Sequence, residues 1–306
     1  MKIFNSFKKS LRKKKEAQRQ MRKVDRTIAT AVRSQYLQNK TLHSNHPLTQ
    51  EKSDSTTPEL VVSLTTYSKR IHDVHLVIES LGEQSIQANR IILWLDEEEF
   101  TQSSIPEILK RQQKRGLEVR FCPNYRSYKK LIPTVELLPE ANIITVDDDL
   151  LYPYDLIELL LKEHALVPNA IVGIRSHEMN VVQGELQPYK SWSKECSFES
   201  NSEYTFLTTG AGTLFPAGLL PNEAKNKQLF LELCPNADDI WINLVCYSKG
   251  IKRVKIMDDR NFASRFCHLE DHQDIGLNKH NVNLSHNDKQ AHALIKHFNI
   301  ELQRCP

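Results

Sequence analysis

Three consecutive carboxylates, Asp147, Asp148 and Asp149, directly follow an apolar stretch at residues 142–146. Two unit charges about 4 Å apart repel each other by roughly 4 kcal/mol at an effective dielectric of about 20, so the cluster needs compensation. A divalent cation with oxygen ligands would provide it, and so would full exposure to water. A role in starting the helix predicted at residues 154–164 would need only one of the three side chains. The triplet therefore predicts a site that binds a metal ion, a nucleotide or both.

A second acidic pair, Asp238 and Asp239, stands at the start of a helix predicted at residues 238–248. Acids in the first turn stabilise a helix through its dipole, which is one interpretation of the pair. The alternative is catalysis, because a carboxylate next to a second acid in a cleft has its pKa raised toward the range of a general base. The sequence leaves both interpretations open.

The loop after the first predicted strand and a glycine-rich turn are further candidates for ligand binding. Thr65, Thr66 and Arg70 follow the strand and could line a nucleotide pocket. The turn Gly-Ala-Gly at residues 210–212 either lets a ligand approach the backbone closely or only bends the sheet. The turn is not a P-loop, and the chain contains no dinucleotide-binding fingerprint.

Basic and imidazole side chains could complete such a site. Lys130 could balance the charge of a diphosphate, although an exposed lysine is the common alternative. Six histidines lie between residues 268 and 297, and most are expected on the solvated surface. His268 or His272, which follow the last predicted strand, could complete a metal shell.

The elements that must position these side chains alternate between strands and helices. Apolar runs predict strands at residues 60–64, 90–95, 117–122, 142–146, 170–174 and 251–256, and helical periodicity predicts helices at residues 71–81, 105–116, 131–138, 154–164 and 238–248. Strands separated by helices are typical of a largely parallel α/β sheet. Ligands bind such sheets at the carboxyl ends of the strands, so we expect Thr65, Asp96 and Asp147 to gather on one edge.

Residues 1–40 form a strongly basic arm. They contain thirteen Lys or Arg and two acids, a net charge of +11, whereas the rest of the chain carries −8 and the whole chain +3. Met21, Val24, Ile28 and Val32 recur at helical spacing, which fits a basic amphipathic helix on an anionic membrane surface. A solvated helix or a disordered tail is the alternative. Nucleic acid is not expected, because no aromatic residues interleave the basic run.

Length and composition limit the remaining possibilities. The 306 residues are enough for one large domain or two modest ones. No run approaches 18 apolar residues, so a membrane-spanning helix is not expected. The six cysteines include no C-x-x-C pair, which disfavours a structural zinc site. Without a secretory signal we expect a cytoplasmic protein with reduced thiols, held in one alternative on the inner face of the cell membrane.

Several motifs occur together in a fixed order along the chain. They are SLTTYSKR at 63–70, a strand ending at 96, KLIP at 130–133, TVDDD at 145–149 followed by YP at 152–153, GAGTLFP at 210–216 and CPNADDIW at 234–241. In this order the chain resembles the GT-A-fold nucleotide-sugar glycosyltransferases, of the family-2-like kind that builds bacterial surface polysaccharides. The resemblance spans roughly residues 59–260. The triplet combined with the later acidic pair is its most specific part.

The resemblance implies how a donor would be held. Asp147 and Asp149 match the outer acids of the family's D-x-D motif, which contact the ribose and the Mg²⁺ or Mn²⁺ bound to the donor diphosphate. Asp148 is placed with the nucleotide-binding groups, and Asp96 is expected near the nucleotide base. The family's metal-binding histidine has no clear match, so His268 is selected by its position alone.

The resemblance also implies the catalytic base and the organisation of the chain. Asp239 matches the catalytic base of inverting family members, and Asp238 stands where the family has a glutamate. We expect a basic helical arm and polar linker at residues 1–55, with the linker beginning near residue 41. A GT-A-like domain would follow at 56–260, and a polar segment packed on or near the active site at 261–306.

These expectations describe a metal-dependent glycosyltransferase that transfers a sugar from a nucleotide-diphosphate donor to a glycan or lipid-linked acceptor, with inversion, in capsule or lipopolysaccharide synthesis. Acid clusters at strand ends also serve metal-dependent nucleotidyltransferases and phosphohydrolases, which are the first alternative. The second alternative is a non-catalytic protein that binds sugar nucleotides.

Overall fold

The computed structural model describes residues 2–52, 54, 56–258, 260–269 and 286–302, with side chains from residue 12 onward. His272 lies outside the described residues. The helices are α1 (Lys2–His43), α2 (Val74–Gly82), α3 (Glu107–Gln113), α4 (Ile132–Leu137), α5 (Leu156–Leu166), α6 (Lys227–Leu233), α7 (Asp238–Ser248), α8 (Phe262–Arg265) and α9 (His286–Phe298). The strands are β1 (Leu60–Thr65), β2 (Arg90–Asp96), β3 (Leu117–Cys122), β4 (Asn142–Val146), β5 (Leu150–Leu151), β6 (Ala170–Gly173), β7 (Ser176–Glu178), β8 (Val181–Val182), β9 (Glu185–Leu186), β10 (Thr205–Leu207), β11 (Ala211–Phe215), β12 (Lys252–Lys255) and β13 (Cys267–His268).

Seven strands form the central sheet, in the order β12-β6-β11-β4-β1-β2-β3. Strand β11 is antiparallel to both of its neighbours, and the other pairings in this sheet are parallel. The strands are rich in Val, Ile and Leu because both faces of the sheet are covered, as is usual for parallel sheets. The predicted α/β fold with a mixed, mostly parallel sheet flanked by helices is confirmed.

Two hydrophobic cores lie on opposite faces of this sheet. On one face, side chains such as Val61, Ile92 and Ile143 pack with residues of α4, α7 and α9. On the other face, alternate residues of the same strands pack with α2, α3 and α5, and with Leu37 of α1. Because successive side chains of a strand point to opposite faces, each central strand contributes to both cores. The result is a three-layer molecule with the loops gathered at the sheet edges.

The carboxyl ends of three central strands lie side by side. Strand β1 pairs in parallel with β2, placing Thr65 beside Trp94, and with β4, placing Ser63 beside Thr145. The residues that leave these strands therefore emerge at the same edge, as predicted from the alternating pattern. Strand β11 runs the other way and begins at this edge, with Ala211 paired to Val146. It thereby adds the turn before residue 211 to the same region.

The basic arm and the C-terminal region each contain a helix. Helix α1 continues through Thr41, which is buried, and ends at His43, and Leu48 beyond it is buried in the core, so the segment after the helix packs on the rest of the protein. Helix α9 was not predicted, because its apolar Ala291 and Leu294 are surrounded by polar residues. No helix in the described ranges is long and apolar enough to cross a membrane.

Candidate active site

A cavity of about 850 Å³ opens at the carboxyl edge of the sheet. Apart from His272, which lies outside the described residues, the side chains proposed from the sequence line it, namely Thr65, Thr66, Arg70, Asp96, Lys130, Asp147, Asp148, Asp149, Asp238, Asp239 and His268. These residues come from six separate parts of the chain and meet because β1, β2, β4 and the N-terminus of α7 share this edge. The described part of the C-terminal region also reaches the cavity through His268 and Asn287.

The acidic triplet is fixed against the turn that precedes β11. The Asp147 N–H lies 3.0 Å from the Gly210 carbonyl oxygen, and the buried Tyr152 donates its hydroxyl proton to the same carbonyl at 2.5 Å. A Cβ atom at position 210 would overlap the Asp147 carboxylate. The glycine thus allows a close approach, but the group that approaches is a protein carboxylate. Tyr152 and Gly210 position Asp147 without adding charge to the site.

Asp148 lies at the wall of the cavity, but its carboxylate is buried and bonded within the protein. Its side chain is 6% exposed, and its two oxygens accept hydrogen bonds from Thr66 Oγ1 and Arg70 Nη1, both at 2.6 Å. Burial and the neighbouring Asp149 raise the pKa of Asp148 to about 6 in spite of Arg70. The middle acid of the triplet therefore anchors the loop, and it leaves the flanking acids to face the cavity.

Asp149 and His268 are brought together by the short pairing of β5 with β13. His268 is opposite Leu150, and the Leu269 N–H donates to the Asp149 carbonyl at 2.9 Å. Burial and the charge of Asp147 raise the pKa of the Asp149 carboxyl group, while Arg70 and His268 act in the opposite direction. The imidazole thus lies within electrostatic range of the acid that was predicted to bind metal.

The carboxylates of the cavity are the candidates for holding a metal ion. No group of three or more His, Cys, Asp or Glu side chains among the described residues is arranged to hold a metal ion alone. The cavity is lined by seven carboxylates, at positions 96, 99, 147, 148, 149, 238 and 239, and by six Lys or Arg side chains, at positions 70, 126, 129, 130, 175 and 194. Asp147 and Asp149 stand together at one strand end, where oxygens of a bound diphosphate could complete the coordination of a Mg²⁺ or Mn²⁺ ion.

Lys130 connects the two acidic clusters. Its ammonium group lies 2.8 Å from Asp147 Oδ1 and 3.2 Å from Asp238 Oδ2, although its side chain is only 6% exposed. Burial alone would lower the pKa of Lys130, but the carboxylates of Asp147, Asp238 and Asp239 raise it, so the lysine stays charged. The two clusters therefore belong to a single site.

The acidic pair at the start of α7 is bound to the rest of the site through Thr209. Its hydroxyl lies 2.5 Å from Asp239 Oδ1 and 2.8 Å from Asp238 Oδ2, and its N–H donates to Asp239 Oδ1 at 2.8 Å. Burial and the charge of Asp238 raise the pKa of Asp239 to about 6. Burial opposes the ionisation of Asp238 as well, but Lys130 outweighs it and lowers the pKa of Asp238. One acid is thus held ionised while its neighbour titrates close to neutral pH.

Asp96 and Thr65 line the part of the cavity that lies at the carboxyl ends of β2 and β1. The Asp96 carboxylate is almost fully buried and accepts hydrogen bonds from the Glu98 N–H at 2.9 Å and Lys129 Nζ at 3.3 Å. The Thr65 hydroxyl donates to the Trp94 carbonyl at 2.9 Å. Both side chains already have partners in the protein, so any contact with a nucleotide would be shared with these bonds.

The opposite wall of the cavity is aromatic and cationic, and it was not identified from the sequence. Lys194 Nζ lies 3.3 Å from the centre of the Tyr189 ring, and Arg175 Cζ lies 4.5 Å from that of Phe262. Burial, together with the charges of Arg175 and Lys194, lowers the pKa of His177 to about 3, so that imidazole is neutral. Arg175 follows a predicted strand and was recognisable by that position. Tyr189 and Lys194 lie in irregular chain without any comparable signal.

Comparison with known proteins gives only distant similarity to solved structures. Neither a protein-family model nor a curated protein sequence matches it. One structure with a similar fold is a CMP:2-keto-3-deoxy-manno-octonic acid synthetase complexed with CTP, with 13% identity and a TM-score of 0.41 over 67% of this chain and 91% of the other. Another is S. aureus TarS, with 15% identity and a TM-score of 0.44 over 66% of this chain; the match spans 36% of the length of TarS. The function must therefore be inferred from the cavity itself.

Proposed function

We propose that this protein is a metal-dependent glycosyltransferase, which transfers a sugar from a nucleotide-diphosphate donor to a hydroxyl group of a glycan or glycolipid. The observation that carries the proposal is the joining of two acidic clusters in one cavity by Lys130, which contacts both Asp147 and Asp238. One cluster has the composition of a metal–diphosphate site, and the other contains an acid whose pKa suits a general base. The motif resemblance supports a role in bacterial surface polysaccharide synthesis.

The donor would bind at the triplet. Asp147, Asp149 and His268 would hold Mg²⁺ or Mn²⁺ together with oxygens of the donor diphosphate, and the ion would supply Lewis-acid stabilisation of the departing diphosphate. Arg70 and Lys130 lie beside these acids and would add positive charge along the diphosphate. Thr65 and Asp96 line the neighbouring part of the cavity, where the nucleoside would extend.

Asp239 would act as the general base that activates the acceptor hydroxyl. In the proposed step the acceptor oxygen forms a bond to the anomeric carbon while the bond from that carbon to the diphosphate oxygen breaks. The acceptor's proton passes to the Asp239 carboxylate, and the nucleoside diphosphate leaves with the bonding electron pair. Because the nucleophile enters on the face opposite the leaving group, the anomeric configuration inverts. Proton removal of this kind contributes about 10²–10⁴-fold to the rate.

The aromatic and cationic wall would form the other side of the acceptor site. Burial and the charges of Asp239 and Arg175 act on the Tyr189 hydroxyl, whose pKa is raised to about 12. The Tyr189 hydroxyl is therefore within electrostatic range of both the proposed base and Arg175. An acceptor sugar placed over Tyr189 would have one face on the ring and a hydroxyl directed toward Asp239.

The proposal is tested by incubating the protein with a panel of nucleotide sugars in the presence of Mg²⁺ or Mn²⁺ and identifying the products. We expect metal-dependent release of a nucleoside diphosphate from one donor, and we expect Asp149→Asn to reduce this by about 100-fold. Glu140→Gln, which removes an exposed carboxylate near the start of β4, is the matched control and should leave turnover unchanged.

Two outcomes would contradict the proposal. Release of a nucleoside monophosphate and a sugar 1-phosphate in place of a nucleoside diphosphate would indicate phosphate hydrolysis, and release of pyrophosphate from a nucleoside triphosphate and a sugar 1-phosphate, supplied in a parallel reaction, would indicate nucleotidyl transfer. Binding of a sugar nucleotide with no turnover, and with unchanged affinity in Asp239→Asn, would indicate a binding protein.

A further inference from the structure

Helix α1 carries a row of exposed apolar side chains. Met21, Val24, Ile28 and Val32 are 70%, 56%, 56% and 67% exposed, and Tyr36 continues the row at 52%. Their spacing of three and four residues places them on one face of the helix. At 1.5 Å per residue the row from Met21 to Val32 is about 16 Å long. Single exposed apolar residues are common on protein surfaces, but a continuous row on one helix face indicates a binding surface.

A different face of α1 packs against the sheet domain, which is called the body below. Leu37 is fully buried, and Gln38 Oε1 lies 2.5 Å from His75 Nε2. Arg33 and Lys40 form ion pairs with Glu83 at 2.6 and 2.7 Å. These contacts engage the last three turns of the helix. The apolar row is therefore left uncovered by the described protein, although the helix that carries it is fixed to the body.

The charge of the helix decides what could cover this row. Residues 12–40 contain ten Lys or Arg and only two acids, Glu16 and Asp25. A second copy packed on the row would bring two such cationic helices together, and like charges at that distance repel. Nucleic acid would satisfy the charge, but it offers no apolar partner for four aliphatic side chains. An anionic lipid surface satisfies both, because apolar side chains enter the acyl boundary while basic side chains remain among the headgroups.

We propose that the exposed face of α1 binds an anionic membrane surface, with Met21, Val24, Ile28 and Val32 inserted at the acyl boundary and the surrounding Lys and Arg side chains on lipid phosphates. This inference does not depend on the proposed function, because it rests on α1 alone. It predicts a protein that is held at a bilayer by one helix while its body, joined through Glu83 and Leu37, stays beside the lipid.

The test is flotation of the full chain with vesicles of neutral phosphatidylcholine, or with vesicles that contain about 30% phosphatidylglycerol. We expect binding to the anionic vesicles that is at least about fivefold tighter than to the neutral ones, and that weakens at about 0.5 M salt. Val24→Ser with Ile28→Ser should weaken binding by about tenfold or more without changing the melting temperature. Leu166→Ser, which removes a similarly exposed leucine from α5, should leave binding unchanged.

A second pair of variants tests the contribution of charge. Arg22→Gln with Arg26→Gln should weaken binding to the anionic vesicles, whereas Lys114→Gln with Lys252→Gln removes the same charge from the body and should not. Equal or absent binding to both kinds of vesicle would overturn the proposal. It would also be overturned by a dimer in sedimentation that Ile28→Ser dissociates, or by oligonucleotide binding that is tighter than vesicle binding and survives the Val24 and Ile28 changes.

Discussion

Asp239 and Asp238 differ in charge state because their partners differ, although they are neighbours. Lys130 contacts Asp238 at 3.2 Å, whereas the carboxylate of Asp239 has its close contacts with the uncharged Thr209. Two adjacent acids cannot easily ionise together in a partly buried site, so the one beside the lysine keeps its charge and raises the pKa of the other. The geometry therefore favours Asp239 over Asp238 as the group that accepts a proton.

This division of roles predicts the pH dependence of transfer. The base must be deprotonated to act, so kcat/KM should rise with pH through about 6, the value to which the pKa of Asp239 is raised. Asp239→Asn should reduce transfer by about 10²–10⁴-fold and remove this rise. The pH profile of initial rates checks both. Asp148 has its pKa raised to a similar value, so Asp148→Asn is the control: it should lower the rate and leave the rise in place. A profile without the rise in the wild type would contradict the assignment.

At the scale of elements, the antiparallel strand β11 assembles the site. Because it begins at the edge where β4 ends, Gly210 lies against Asp147 and Thr209 lies against the N-terminus of α7. A parallel strand in this place would have carried both residues to the other end of the sheet. The two acidic clusters are about ninety residues apart in the sequence. Because β11 runs in the opposite direction, the turn at Thr209 and Gly210 lies in space between the two clusters and contacts both.

Gly210→Ala tests how closely this turn is fitted to the triplet. A Cβ at position 210 would overlap the Asp147 carboxylate, so we expect the acid to be displaced and donor turnover to fall by about tenfold or more. Gly218→Ala is the matched control, because its Cβ would have nothing within 4 Å and only its positive φ of 68° is unfavourable. That variant should lose about 1 kcal/mol of stability and keep its activity. Equal activity in the two variants would show that Asp147 does not depend on the turn.

The sequence was sufficient to predict strands and helices with clear apolar patterns, but not side-chain positions that depend on contacts with residues distant in the chain. Strands β1 to β4 and helix α7 have apolar patterns long enough to identify, and their ends placed the acids on one edge. The inward position of Asp148 was not predictable, because it depends on Arg70, which is 78 residues away. Thr209 was missed for the same reason, since its partners lie about thirty residues further along. Helix α9 was hidden by its polar composition.

At the scale of the whole molecule, a buried ion pair between Arg115 and Glu79 is the point at which α1 meets the sheet domain. The Arg115 guanidinium donates to both oxygens of Glu79 at 2.8 and 2.9 Å, and Glu79 is fully buried in α2. Thr41 of α1 and Gln112 of α3 donate to the same carboxylate at 3.3 and 3.1 Å. Three helices therefore meet at a single acid, and the arm is an integral part of the fold.

Glu79→Ala should consequently lower the free energy of unfolding by about 3–5 kcal/mol, because it leaves the Arg115 charge buried without its partner. Urea unfolding followed by circular dichroism measures this. Glu158→Ala, which breaks the exposed pair with Lys162, is the control and should change the free energy of unfolding far less, because solvent screens exposed pairs. Replacing Glu79 and Arg115 together by methionine should cost less than Glu79→Ala, because no unpaired charge remains. If Glu79→Ala were as mild as Glu158→Ala, the buried pair with Arg115 would not stabilise the fold as proposed.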